Sequence, residues 1–204
     1  MTPGLLNPIP VSSTVEPGKT TTSVYLAALA AASNRRGVAL VDADSQASAA
    51  EWVEATDDER LQRFDLVEAP TERLLGKALD KVGPDDVAIV DTPPGHERLT
   101  GKALDRADVV IVPTRVGGVE TTRAQVVLDM VPEGTPRGLV ICSARTFTRD
   151  YDEALATWSE EGVRIWGTVP ERVAIAAGPE RLLAFDGIEA YRGVWRKVQR
   201  AARS

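Results

Sequence analysis

The sequence predicts a single α/β domain over residues 1–204, built on a mostly parallel sheet with helices on both faces. A length of 204 residues is typical of one domain. Short β-rich runs alternate with longer helical patterns, which indicates repeated βαβ units. Two runs, 87–90 and 109–112, are apolar throughout, as expected for central strands that are buried on both faces.

The alternation places the elements in a regular order along the chain. Runs rich in Val, Ile and Leu predict strands at 37–41, 64–67, 87–90, 109–112, 138–141 and 164–166. Helical periodicity predicts helices at 20–33, 47–55, 72–82, 121–131 and 151–161. We identify no internal repeat, low-complexity tract or long linker.

Composition and charge exclude several classes of protein. Hydrophobic residues at 43% and charged residues at 26% fit neither a disordered chain nor a membrane protein. The net charge of -6 means that any DNA contact has to be local. The single cysteine, Cys142, and the single histidine, His96, exclude an internal disulfide and a metal site rich in these residues. No signal peptide or apolar run of 18 residues is found, so we expect a cytoplasmic protein.

The clearest motif in the chain is Gly18-Lys19-Thr20, which lies directly before an alanine-rich helical stretch. It matches the end of the phosphate-loop pattern GxxxxGK[ST]. In such a loop the lysine contacts the β- and γ-phosphates, the hydroxyl binds Mg²⁺, and the helix N-terminus points N–H groups at phosphate oxygens. The tripeptide alone is a weak signal, because a polar helix start can carry it by chance.

Carboxylates follow two of the predicted strands. Asp42 and Asp44 lie in the segment VALVDADSQ, and Asp91 follows VAIV in VAIVDTPPG. The carboxyl ends of parallel strands share one edge of the sheet, where ligands bind. A solvated turn is the alternative for Asp42 and Asp44. The sequence therefore predicts that three carboxylates converge with the Gly18-Lys19-Thr20 segment on one edge.

Taken in order, the segments GKTT, DADSQ and DTPPG resemble the ParA and MinD group of deviant Walker A ATPases. The resemblance covers nearly the whole chain and is greatest to the small plasmid-partition ParA proteins. It implies a P-loop NTPase-like fold that uses ATP and Mg²⁺.

The resemblance also implies a role for each matching residue. Nucleotide contacts are implied at Gly18, Lys19, Thr20 and Thr21. Metal contacts are implied at Thr20, Asp42 and Asp91, with Asp91 acting through water. The implied catalytic residues are Lys19, which holds the phosphates, and Asp44, which orients the attacking water.

The front of the loop departs from the family pattern KGGxGKT. Thr14 stands at the signature lysine, and Val15 and Glu16 stand at the paired glycines. Pro17 removes an N–H donor from the loop. The Glu16 carboxylate, if it lay about 4 Å from a phosphate, would oppose nucleotide binding by roughly 4 kcal/mol at an effective dielectric constant of 20. We therefore expect weak or altered nucleotide affinity. Pro8 and Pro10 fall at the family's first strand, which we expect to be short, displaced or irregular.

The C-terminal stretch 191–204 is the one strongly basic segment and contains no acid. Apolar residues recur in it at helical spacing. Three interpretations stay open: a helix packed on the sheet with its charges in water, a surface that binds DNA without reading sequence, or a membrane-surface helix. The DNA interpretation assigns phosphate contacts to Arg192, Arg196, Lys197 and Arg200.

Two functional hypotheses follow. The first is a ParA-like ATPase for plasmid or chromosome partition or cargo positioning, which forms a nucleotide-dependent homodimer on nonspecific DNA and works with a centromere-binding or adaptor protein. The second is a degenerate, non-hydrolysing relative that serves as a binding or assembly module. A membrane-bound positioning ATPase is disfavoured. The first hypothesis places the protein in the cytoplasm in association with the nucleoid.

Overall fold

The computed structural model describes residues 8–10, 18–33, 37–176, 183 and 185–203. Within these ranges the chain alternates strands and helices as the sequence predicts. The strands are β1 (Pro8–Pro10), β2 (Val38–Asp42), β3 (Asp65–Glu68), β4 (Val87–Asp91), β5 (Val109–Thr114), β6 (Arg137–Ala144) and β7 (Ile165–Pro170). The helices are α1 (Lys19–Ser33), α2 (Ser48–Ala55), α3 (Glu72–Leu79), α4 (Glu97–Leu104), α5 (Gly118–Met130), α6 (Arg149–Glu160), α7 (Val173–Ala176) and α8 (Phe185–Ala201), with a 3-10 turn at Leu61–Arg63.

The strands pair in parallel in two groups, ordered β3-β2-β4 and β1-β5-β6-β7. Strand β1 lies beside β4, so the two groups continue one another. All carboxyl ends therefore face the same edge. Strand β1 is described from Pro8 to Pro10 and pairs with β5 from Pro8 opposite Val109 to Pro10 opposite Ile111.

Helices cover both faces of this sheet, and alternate residues of the central strands enter the two cores. In β4, Val87 and Ile89 join the core beneath α1 and α8, while Ala88 and Val90 join the core beneath α3 to α6. This two-sided burial explains the continuous apolar run in the sequence. All four tryptophans are buried, at 5% exposure or less. The α/β class with a mostly parallel sheet is confirmed.

The expectation that the chain lacks an internal repeat is wrong. Eight of the nine residues from Glu72 to Asp80 recur from Glu97 to Asp105. The second copy forms α4, a helix that periodicity did not predict. The two helices lie side by side, joined by exposed ion pairs from Arg98 to Glu72 (3.2 Å) and from Arg106 to Asp80 (3.0 Å).

The C-terminal helix is longer than its basic stretch. It begins at Phe185 rather than near Tyr191. In the described part of the chain, no helix is both long and apolar enough to cross a membrane.

Candidate nucleotide-binding site

The junction between Gly18 and α1 forms the phosphate-loop end of the site. Gly18 adopts a φ of 127°, a value that favours glycine, and a Cβ there would lie 3.0 Å from the Sγ of Cys142. Thr22 N–H donates to the Gly18 carbonyl at 2.8 Å and closes the first turn of the helix. The loop residues predicted to depart from the family pattern, 14–17, lie outside the described residues.

The helix begins with the polar residues that the motif assigns to phosphate and metal. Lys19 is 6% exposed, while Thr20 and Thr21 are partly exposed. A helix start presents N–H groups without intrahelical partners, which favours an anion at this point. The Thr20 hydroxyl hydrogen-bonds Asp91 at the end of β4, and the Lys19 ammonium acts on the same carboxylate electrostatically.

Asp91 ends β4 and is 1% exposed. Its carboxylate accepts hydrogen bonds from Ser23 Oγ (3.0 Å, to Oδ1) and from the Thr20 hydroxyl. Burial, together with the charge of Asp42, raises the pKa of Asp91 to about 6, although the hydroxyl hydrogen bonds and the Lys19 ammonium oppose this rise. The structure therefore brings Lys19, Thr20 and Asp91 together at one point.

Asp42 ends the neighbouring strand β2, directly opposite Asp91 in the ladder, and is fully buried. Its Oδ1 accepts the N–H of Asp44 (3.0 Å), and its Oδ2 accepts those of Ala49 (2.9 Å) and Ala50 (3.0 Å) at the start of α2. Burial raises the pKa of Asp42, while these three N–H bonds lower it. Asp42 thus fixes the loop between β2 and α2.

Asp44 lies on that loop and is partly exposed. Its Oδ1 accepts the N–H of Gln46 at 2.9 Å, which is the geometry of an Asx turn. Within the described ranges, no three acidic, histidine or cysteine side chains gather as a metal site by themselves. Mg²⁺ commonly takes one or two protein oxygens and completes its shell with phosphate and water, and the Thr20 hydroxyl and the Asp91 carboxylate are oxygen donors of that kind.

A cavity of about 240 Å³ opens beside the phosphate loop. Gly18 and Thr21 form one wall, and the ends of β6 and β7 form the other. Arg115, which follows β5, also lines it, and sequence reasoning did not select this residue. The available signal was its position, since it is a cation directly after an apolar strand and at the same edge as Asp91.

Tyr191 of α8 also lines the cavity. The Tyr191 hydroxyl hydrogen-bonds the Thr22 hydroxyl at 2.9 Å, and its ring stacks on Tyr25 with centroids 5.1 Å apart. Burial raises the pKa of Tyr191 well above its usual value, so the phenol is neutral. The phosphate-loop helix and the C-terminal helix are therefore joined directly at the site.

The basic residues of α8 lie on its solvent side. Val194, Trp195 and Val198 are buried against the sheet, which confirms the packed-helix interpretation for the apolar face. Arg192 pairs with Glu189 at 2.8 Å, while three other cations are exposed and have no ion pair within the described residues: Arg196, Lys197 and Arg200.

Arg164 extends this basic surface from the start of β7, and the sequence had not singled it out. It lines a cleft of about 470 Å³ with Trp166, Lys197 and Arg200. The Lys197 ammonium donates to the Ile165 carbonyl at 3.3 Å. Because Arg164 precedes β7, this cleft lies at the amino-terminal edge of the sheet, opposite to Asp91.

The fold and the site define an α/β nucleotide-binding domain of the phosphate-loop class. The chain belongs to the CobQ/CobB/MinD/ParA nucleotide binding domain family, which matches residues 12–185. This match confirms the family resemblance that the three motifs indicate.

A curated relative is the "Maintenance of carboxysome distribution protein A" of Gloeobacter kilaueensis, which is 43% identical over 98 residues. That match spans 48% of this chain and 43% of the relative's length, so the chain spans less than half of the curated relative.

Two solved structures share the fold along nearly their whole length. A plasmid partition protein of Borrelia burgdorferi bound to AMPPNP has a TM-score of 0.72 and 20% identity, and the alignment covers 96% of this chain and 98% of that one. The septum site-determining protein MinD of Pyrococcus horikoshii, complexed with Mg-ADP, has a TM-score of 0.72 and 17% identity, with 94% and 96% covered. At these identities the likeness shows the fold alone, and it confirms the P-loop NTPase-like architecture.

Proposed function

We propose that this protein is a ParA-like ATPase that binds ATP with Mg²⁺ and uses hydrolysis to partition DNA or to position another cargo. The observation that carries the proposal is the meeting of Lys19, Thr20 and Asp91 at the start of α1. An ammonium, a hydroxyl and a buried carboxylate in this arrangement suit a nucleoside triphosphate and its magnesium ion.

Each group has a distinct task in this proposal. The Lys19 ammonium neutralises charge on the phosphates, and the helix N–H groups bind their oxygens. The Thr20 hydroxyl and the Asp91 carboxylate would hold Mg²⁺, which when bound offsets the charge that develops on the transferred phosphoryl group. Burial raises the pKa of Asp91, and a bound Mg²⁺ would favour the ionised carboxylate.

The loop after β2 supplies the residue that faces water. Asp44 orients the attacking water through its carboxylate, one oxygen of which stays bonded to the Gln46 N–H. Asp42 supports the metal shell through the loop that it holds, since it fixes the backbone of Asp44 and the start of α2. Thr21 contacts the α-phosphate from the wall of the neighbouring cavity.

The cargo-positioning role is supported by the family and by the names of the similar proteins. They are a carboxysome distribution protein, a plasmid partition protein and a septum site-determining protein. These names refer to carboxysome distribution, plasmid partition and determination of the septum site. For this chain we propose a nucleotide-dependent homodimer that works in the cytoplasm on the nucleoid with a centromere-binding or adaptor partner.

Nonspecific DNA is the proposed surface on which the protein works. The phosphate contacts are Arg192, Arg196, Lys197 and Arg200, all on α8. Exposed cations without ion pairs bind a polyanion through counterion release, which makes the affinity depend strongly on salt. Because Arg192 already pairs with Glu189, we expect it to contribute less than Arg196 or Arg200.

Binding of radiolabelled ATP and its turnover, each measured with and without DNA, test the proposal. Lys19→Ala should abolish both, whereas Lys77→Ala, an exposed lysine on α3, should leave them unchanged. DNA binding should weaken at least tenfold in Arg196→Glu/Arg200→Glu and not in Arg73→Glu, an exposed arginine on α3. If no adenine nucleotide binds and Lys19→Ala changes nothing, the ATPase proposal is wrong.

The second candidate is a non-hydrolysing binding or assembly module. It is favoured by one specific observation, namely that Thr14, Val15 and Glu16 replace the lysine and glycines of the family loop. Size-exclusion chromatography with and without Mg-ATP separates the two candidates. Dimerisation that is insensitive to nucleotide, together with absent turnover, would favour the module.

A further inference from the structure

Arg115 lies at the carboxyl edge of the sheet, where the nucleotide is proposed to bind, and the proposed function gives it no role. Arg115 directly follows β5, and its partly buried side chain lines the 240 Å³ cavity that Gly18 and Thr21 also line. The cavity is therefore lined both by a guanidinium and by residues at the start of the 15-residue helix α1. Both features attract an anion.

The hydrogen bonds of Arg115 leave part of its donor set unused. Its Nη2 donates to the Ser143 hydroxyl at 3.3 Å, while its Nε is buried and has no hydrogen-bond partner. Among the residues that the structure describes, Arg115 forms no ion pair within 4 Å, although its charge helps to lower the pKa of Glu171. A buried N–H of a charged group is costly unless an acceptor meets it, so an acceptor bound in the cavity would complete this donor set.

The backbone at Ser143, whose hydroxyl accepts the hydrogen bond from Arg115, is itself unusual. Ser143 has a φ of 50°, in the left-handed region, and the pairing of β6 with β7 is irregular between Ile141 and Ala144. Non-glycine residues persist in this conformation where the surrounding structure imposes it, which occurs often at binding sites. Here the irregularity positions the hydroxyl that meets Arg115.

The charge balance of the cavity is positive. Arg115 and Arg172 line it, and the acid among the lining residues is Glu171. That carboxylate already accepts a hydrogen bond from Arg145 at 2.7 Å. Arg172 in turn donates to the Glu171 carbonyl at 3.1 Å. The position of Arg115 beside Gly18 and Thr21 favours an anion over a neutral group.

We propose that Arg115 binds the phosphate groups of the nucleotide from within the same subunit. The inference rests on the proposed nucleotide-binding function and adds a cation to it. A planar guanidinium can donate two parallel hydrogen bonds to phosphate oxygens, and Ser143 acts as the positioning residue that orients it.

The test compares ligands with and without phosphate. Dissociation constants for Mg-ATP, Mg-ADP and adenosine are measured by isothermal titration calorimetry for the wild type and for Arg115→Gln. We expect a loss of at least tenfold for ATP and ADP and a change below twofold for adenosine. Arg115→Lys should recover part of the loss, because a lysine keeps the charge but not the fork of donors.

Arg149→Gln is the matched control, since Arg149 is an arginine at the start of α6 that is 88% exposed and pairs with Glu153, outside the cavity lining. It should leave all three dissociation constants within twofold. Ser143→Ala is a second variant, which keeps Arg115 but removes the hydroxyl that orients it. It should weaken ATP and ADP binding less than Arg115→Gln does, and it should again leave adenosine binding unchanged. Raising the salt concentration should weaken ATP binding by the wild type more than by Arg115→Gln. Salt screens the attraction between the Arg115 guanidinium and the phosphates, and the variant lacks this attraction.

Three results would overturn the inference. One is ATP binding by Arg115→Gln at wild-type strength while Lys19→Ala loses it, which would leave the proposed function intact. Another is an equal loss for adenosine and ADP, which would indicate damage to the fold or contact with the base. The third is a wild type that binds no nucleotide, in which case the proposed function fails as well.

Discussion

Replacing Asp91 with asparagine should stabilise the protein when no nucleotide or metal is bound. Burial holds the pKa of this carboxyl at about 6, against an ordinary value of 3.8. A shift of this size, at about 1.4 kcal/mol per pKa unit, corresponds to about 3 kcal/mol. The shift already includes the attraction of Lys19, so the figure is the net cost of the buried charge.

The sign of the effect sets its pH dependence. Because the folded-state pKa of Asp91 is raised, the free energy of unfolding of the wild type carries no penalty below pH 3.8, where Asp91 is protonated in both states. It falls by about 3 kcal/mol as the pH rises through about 6, where the buried carboxyl ionises. Asparagine does not titrate. The free energies of unfolding of wild type and Asp91→Asn should therefore agree near pH 4 and differ by about 3 kcal/mol at pH 7.5.

Urea unfolding from pH 4 to pH 8, in the absence of Mg²⁺ and nucleotide, measures this difference. Asp58→Asn serves as the control, because the same substitution at this position should change the free energy of unfolding in the opposite direction. Burial acts against ionisation of Asp58, but hydrogen bonds from Arg60 and the Leu183 N–H outweigh it and lower its pKa to about 2. The Asp58→Asn protein should thus be less stable than wild type above pH 4. The reasoning is refuted if Asp91→Asn equals the wild type or unfolds more easily at pH 7.5.

Three further predictions concern the same edge of the sheet. Gly18→Ala should destabilise the fold by about 1–2 kcal/mol in urea unfolding, because of the φ of 127° and the nearby Cys142 Sγ; unchanged stability would contradict this account. Tyr191→Phe should cost about 1 kcal/mol by thermal unfolding, since the Thr22 hydroxyl loses its 2.9 Å partner; a cost near zero would mean that water replaces the phenol. Adding Mg-ADP should raise the melting temperature of the wild type and raise it less in Asp91→Asn, and an equal rise would remove Asp91 from the metal site.

Much of the sheet could be predicted because its strands are buried on both faces. The runs before Asp91 and Pro113 contain only apolar residues, and their order fixes the edge at which polar groups gather. The start of α1 was equally clear, because Gly18-Lys19-Thr20 joins a motif to an alanine-rich helix. These signals depend on residues that are close together in the chain, so they can be recognised in a single sequence.

The parts that were missed depend on contacts distant in sequence. Helix α4 is an exception, because the segment Glu97 to Asp105 nearly repeats Glu72 to Asp80, and comparing the two segments in the sequence would have predicted it. The bonds from Asp42 to the N–H groups of Ala49 and Ala50 follow from how the loop folds back. Arg115 gains its significance from Ser143, which lies 28 residues further along the chain.

Helix α8 runs from the carboxyl edge of the sheet to its amino-terminal edge. Tyr191 forms part of the cavity wall beside the phosphate loop, and Arg200 lines the basic cleft at the opposite edge. The two residues are nine positions apart along the helix, which corresponds to about 14 Å. Because α8 packs against α1 and β7 along this length, a substitution that displaces the helix would alter the cavity beside the phosphate loop and the basic cleft together.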